Sequence, residues 1–169
     1  MSGSSDRKIN YNLRPSKSIE RRMILDVLKE VCTPNQADNY RYVGFGSSFF
    51  TDFKLFHKSL NIKDMISIEK SNFERVRFNK PFSCVNLEPG FSNHVLPKLK
   101  WAKKNIVWFD YETCLKDYMF EDIETCSGNL ISGSFLIITL RRSFDQDSKT
   151  EFEEAFGKNV FTGLKEEDI

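Results

Sequence analysis

Several places in this chain combine residue types that can do chemistry. The first is Gly44-Phe45-Gly46-Ser47-Ser48. Glycine lets the backbone turn sharply and lets a ligand approach it closely. A helix opening after such a turn offers free N–H groups and the positive end of its dipole. The glycine pair is an incomplete dinucleotide fingerprint, because Phe49 stands where the third glycine of G-x-G-x-x-G belongs. A plain strand-to-helix turn has the same composition. The second place is Glu69, near the offset of roughly 20 residues at which an acid ending the next strand accepts both hydroxyls of a ribose. The third is Asn86-Leu87-Glu88-Pro89-Gly90, where Asn86 suits contact with an adenine ring and Pro89-Gly90 suits a turn. The fourth is Asp110-Tyr111-Glu112. Asp110 suits a general base, a metal ligand or an orienting group, and equally a helix cap. Tyr111 suits stacking on a ligand or positioning a substrate.

The elements that must hold these residues alternate along the chain. Residues 1–14 read as a flexible polar tail. PSKSIERRMILDVLKEV has Ile19, Met23, Val27 and Val31 at helical spacing, predicting one buried stripe with Ile24 and Leu28 beside it. Ser16 or Ser18 is the expected cap. Lys17, Arg21 and Arg22, with Arg14, read as a solvated basic face. Strands are predicted at 40–46, 64–69, 82–87, 105–110 and 134–140. Helices are predicted over the stretch from Ser47, capped by Ser47, Ser48 or Thr51, then at 91–99, 114–126 and 147–157, with a charged helix or loop at 70–80. Several strands are continuous apolar runs without alternation, as in a parallel sheet covered on both faces. Right-handed crossovers then give an α/β, doubly wound, Rossmann-like fold of about five strands. In such sheets ligands bind outside the carboxyl ends of the strands, where strand order reverses. The four places above all follow strands.

Length and composition fit this picture. The 169 residues suit a single domain over 15–169, and 40% hydrophobic content supports a core in which the sixteen Phe are expected to be buried. Net charge of +1 gives no global footprint for nucleic acid. Cys32, Cys84, Cys114 and Cys126 lack metal-binding spacing, so free thiols and no metal site are expected. The opening MSGSSDRKIN has no apolar signal region, and the run Phe135–Ile138 is too short to cross a bilayer. A cytoplasmic protein without membrane contact is the expectation.

The stretches NYNLRPSKSIERRM, YRYVGFGSSFFTDFKLFH, MISIEK, RFNKPF and IVWFDYE resemble, in that order, a family of O-methyltransferases that use S-adenosylmethionine. The likeness covers most of the chain. It implies a class I methyltransferase fold in which Gly44, Phe45, Gly46 and Ser47 form the cofactor loop and Glu69 holds the ribose. Asn86 then sits beside the adenine, and Asp110 with Tyr111 lines the catalytic pocket. It also implies that Asp52 orders the glycine loop. The acceptor is an unknown hydroxyl compound, and a divalent metal beside Asp110 is an open option. Such folds end in an antiparallel hairpin, and only one weak strand, at 159–162, is legible after Leu140. A shortened chain of this kind would leave a sheet edge for a second copy or a missing partner. Two other readings compete: a non-catalytic nucleotide-binding or protein-interaction module of the same fold, and a dinucleotide-binding domain, which the incomplete fingerprint counts against.

Overall fold

A computed structural model describes residues 15–32, 39–111, 113, 115–140 and 150. The elements are α1 (Pro15–Val31), β1 (Tyr40–Gly44), α2 (Thr51–Leu60), β2 (Met65–Glu69), α3 (Phe73–Phe78), β3 (Val85–Pro89), α4 (Ser92–Val95), a 3-10 turn (Leu96–Lys98), β4 (Lys104–Asp110), α5 (Asp117–Asn129) and β5 (Phe135–Thr139). The strands form one parallel sheet in the order β3-β2-β1-β4-β5. The chain moves outward from β1 through β2 to β3, then returns to the other side of β1 for β4. The order therefore reverses between β1 and β4, which opens a crevice at their carboxyl ends.

The apolar runs become the inner strands. β2 is buried throughout and β4 is buried except at its ends, whereas the edge strands β3 and β5 are largely half-buried. Alternate residues feed two cores. Tyr42, Met65, Ile106 and Trp108 pack under α1 and α2 with Phe53 and Phe56. Val43, Ile66, Val107 and Phe109 face the other way, toward Leu96, Met119 and Cys126. Tyr42 meets Phe53 and Phe56 edge-on at 4.8 and 4.9 Å, a favoured geometry for aromatic pairs. Not every Phe is interior: Phe78 is exposed, and Phe91 stands half out beside the crevice.

Helix α1 corrects the sequence reading. Ile19, Met23, Val27 and Val31 are 59, 64, 60 and 51% exposed, and the buried face carries Arg21, Leu25 and Leu28 instead. This helix has two apolar faces, and periodicity cannot choose between them. The ion pairs Lys17–Asp110 and Arg21–Asp52 decide, because both cations lie on the Leu28 side. The helix starts at Pro15, where a proline suits the first turn, rather than after a serine cap.

Smaller departures have local causes. α2 has no side-chain cap: Phe50 occupies the cap position with a left-handed φ of 49°. Its ring is fully buried against Phe53. Burying such a ring stabilises by about 1.5–3 kcal/mol, which offsets the roughly 1–2 kcal/mol cost of the left-handed backbone. β3 runs to Pro89 instead of ending at Leu87, and an edge position tolerates a residue without an N–H. α5 starts and ends three residues later than predicted, and Asp122 is buried on it where Ile123 was expected. The helix expected at 147–157, the strand at 159–162 and the tail at 1–14 lie outside the described residues. Among the described residues, no helix is long and apolar enough to cross a membrane.

Candidate active site

The site begins where β1 ends. Gly44 pairs with Ser67 of β2 and Trp108 of β4, so it lies at the centre of the sheet. The turn after it brings the Gly46 N–H to 3.0 Å from Glu69 Oε1, and Ser67 Oγ donates to the same oxygen at 2.5 Å. A Cβ on Gly46 would land on Ser67 Oγ, Glu69 Oε1 and the Phe50 ring. Only glycine leaves room for this carboxylate at the turn. Glu69, nearly buried, is thereby held rigid at the end of β2.

A cavity of about 530 Å³ opens over these strand ends, a size typical of small-molecule sites. Its walls include Phe45, Ser47, Glu69, Asp110, Tyr111 and Arg21. The first five of these were expected from the sequence. Gly44 and Gly46 shape the turn without lining the cavity. Asn86 does not reach it: it pairs with Ile66 in mid-strand on the outer β3 and is exposed. The expected adenine contact is corrected accordingly, and the neighbouring Gly90, Phe91 and Ser92 stand at the wall instead.

Asp110 ends β4 opposite Thr139. Lys17 Nζ reaches Asp110 Oδ1 at 2.5 Å and Glu20 at 2.9 Å. Burial holds the Asp110 carboxyl above the ordinary aspartate range, although Lys17 pulls it back. Burial lowers the Lys17 ammonium, but its hydrogen bonds to Asp110 and Glu20 outweigh that and leave it raised. The lysine thus remains a cation. Glu20 Oε1 accepts from Thr139 Oγ1 at 2.6 Å, and Thr139 Oγ1 accepts from Trp108 Nε1 at 3.1 Å. A continuous polar chain joins β4, β5 and α1 around Asp110.

Asp52 pairs with Arg21 and lines the cavity together with Ser47 and Ser48 of the glycine loop. It is partly buried, and desolvation raises its carboxyl despite the guanidinium beside it. Tyr111 extends the aromatic wall: Phe45 stacks on Phe109 at 5.0 Å and meets Tyr111 edge-on at 5.4 Å. The Tyr111 hydroxyl is pushed far above the usual phenol range by burial and by Asp122, so it stays protonated. It cannot act as a base in neutral water. Among the described residues, no three His, Cys, Asp or Glu side chains gather where a metal ion would sit.

Arg21, Ser92 and Asp122 were not legible as site residues. One signal was present for Arg21. Lys17, Arg21, Leu28 and Cys32 share a helical face, and cations in line with a buried apolar stripe require carboxylates above them.

The family model described as "Putative O-methyltransferase" matches residues 9–169. No curated protein matches the chain. Among solved structures, a crystal structure of a point mutant of MtNAS matches with a TM-score of 0.47 and 11% identity, over 73% of this chain and 46% of that one. This chain spans under half of that protein's length.

Proposed function

The chain belongs to this O-methyltransferase family, and from that premise we propose that it transfers a methyl group from S-adenosylmethionine to a hydroxyl of its acceptor. The observation that carries this reading is the Gly46–Glu69 contact at the mouth of the cavity. A carboxylate fixed there by a backbone N–H is a ready acceptor for the two ribose hydroxyls of an adenosine. The absence of a Cβ at Gly46 is what lets the Glu69 carboxylate sit against the turn. When bound, the cofactor supplies an electrophilic methyl on a sulfonium.

The protein's own residues then have modest tasks, since methyl transfer to oxygen needs chiefly alignment and electrostatics. With the methyl donor held in the cavity, Asp110 would accept the proton that the acceptor's hydroxyl gives up. Its carboxyl, raised by burial, is a stronger proton acceptor than an ordinary aspartate. Lys17 fixes its orientation through Oδ1. Tyr111, a neutral phenol anchored to Asp122, walls the reaction site and excludes water. The free thiols Cys32, Cys84 and Cys126 support placing the protein in the reducing cytoplasm.

The test is calorimetric titration with S-adenosylmethionine and S-adenosylhomocysteine on the wild type and on Glu69→Ala. Micromolar binding, lost in the variant, is the expected result. A folded wild type that binds neither compound would sink the reading.

A further inference from the structure

We propose that Arg21 is a ligand-binding residue whose guanidinium grips the methionyl carboxylate of the cofactor. This rests on the S-adenosylmethionine reading above. Arg21 is only 6% exposed, yet it lines the cavity. A guanidinium carries five N–H donors in a planar fork. Asp52 takes only the Nε–H. The two terminal amino groups make no hydrogen bond to another described residue. Neither terminal nitrogen is a fully buried atom lacking a partner, so both keep access to solvent at the cavity that Arg21 lines, where an anionic group can meet them.

The geometry suits a carboxylate. Asp52 stands in the first turn of α2 and holds the guanidinium by its Nε edge. The terminal amino groups are left as the donors for a bidentate pair with one anionic group. Asp52 and Asp110 line the same cavity, so a multiply charged anion such as a phosphate is opposed. An α-amino acid end meets both signs of charge: its carboxylate meets Arg21 and its ammonium meets the neighbouring aspartates. Within the nucleoside ligand proposed above, the methionyl end alone has this chemistry.

Calorimetry of the full chain with two probes tests the assignment. S-adenosylhomocysteine carries the amino-acid end, and 5′-methylthioadenosine lacks it. Arg21→Lys keeps a cation for Asp52 but loses the fork. It should weaken S-adenosylhomocysteine binding roughly ten- to a hundredfold, the range for hydrogen bonds to charged groups. Binding of 5′-methylthioadenosine should stay unchanged. Should the lysine variant fail to fold, the double variant Arg21→Ala/Asp52→Asn leaves no buried carboxylate unpaired and should show the same selective loss. Equal weakening of both probes would make Arg21 merely structural and overturn the proposal, as would no change in either. A folded wild type that binds neither probe removes the cofactor reading and this assignment together. Binding of both probes with no dependence on Arg21 removes the assignment alone.

Discussion

Tyr111 donates its hydroxyl hydrogen to Asp122 Oδ2 at 2.6 Å, and Ser92 donates to the same oxygen at 2.5 Å. One fully buried carboxylate therefore ties the wall after β3 to the wall after β4. Its other oxygen, Oδ1, is buried with no hydrogen-bond partner. Asp122→Ala would strand two buried donors and should cost about 3 kcal/mol. Asp122→Asn keeps an oxygen for both donors but puts its amide N–H groups at the partnerless Oδ1 position, and should cost less than the alanine, about 1–2 kcal/mol. Urea denaturation of the two variants checks the contrast, and equal losses would mean the two hydrogen bonds contribute little.

The same carboxylate gives a pH signature. Burial raises the folded Asp122 carboxyl above its unfolded value of about 3.9. A raised acid binds its proton more readily in the folded state. Its contribution to stability is complete below about pH 4 and is lost as pH rises through the folded pKa. Asp52 and Asp110 carry the same sign. Asp64 carries the opposite sign: burial opposes ionisation, but Lys103 and Arg41 outweigh it and lower the carboxyl. The clean readout is a difference. Wild-type stability minus that of Asp122→Asn should fall as pH rises above about 4, and a gap independent of pH would contradict the assignment.

Gly46→Ala tests the turn itself. Its new Cβ would strike Ser67 Oγ, Glu69 Oε1 and the Phe50 ring. The first two are side-chain ends that can swing aside, so the fold should survive with a loss of about 1–3 kcal/mol. The moved Glu69 no longer presents its carboxylate, and S-adenosylhomocysteine affinity should drop at least about tenfold, as for loss of a charged hydrogen bond. Calorimetry beside a thermal melt separates the two effects. Full affinity in a variant that melts early would refute the role given to Glu69.

Helix α1 offers a test of which face is inside. Met23→Lys and Val27→Lys sit on the exposed stripe and should change stability by less than about 0.5 kcal/mol. Leu28→Ala empties a fully buried position and should cost about 2–5 kcal/mol. Chemical denaturation of the three variants decides, and a large loss from the lysines would place the stripe in an interface.

Asp110→Asn bears on the chemistry. The variant keeps the shape of the residue and the approach of Lys17, so cofactor affinity should persist. It removes the proton acceptor, and turnover with a hydroxyl acceptor should fall about 10²–10⁴-fold, the usual contribution of a general base. Unchanged turnover would leave Asp110 as an orienting group.

The sheet was readable because its inner strands are apolar on both faces, and Met65-Ile66-Ser67-Ile68-Glu69 can be little else. Glu69 and Asp110 were readable because strand ends in such sheets face the ligand. Asn86 was misplaced because a strand's end, not its polar residues, determines what reaches the crevice, and β3 runs on to Pro89. Asp122 and Arg21 were hidden for a different reason. Their importance comes from partners distant in sequence, Tyr111 and Ser92 for one, Asp52 for the other. No local pattern encodes such a pairing. In α1 two apolar faces compete, and the one carrying Leu25, Leu28 and Cys32 is buried together with the two cations that meet Asp52 and Asp110.

The polar chain around Asp110 has a consequence for biosynthesis. Lys17 joins Asp110 across 93 positions, and Thr139 joins Glu20 across 119. Loop closures of that length come late in folding. The Thr139–Glu20 link therefore forms only once β5 has left the ribosome and met the first helix. Until then Lys17 can reach Asp110, but the Glu20 beside it lacks the Thr139 hydroxyl that braces it.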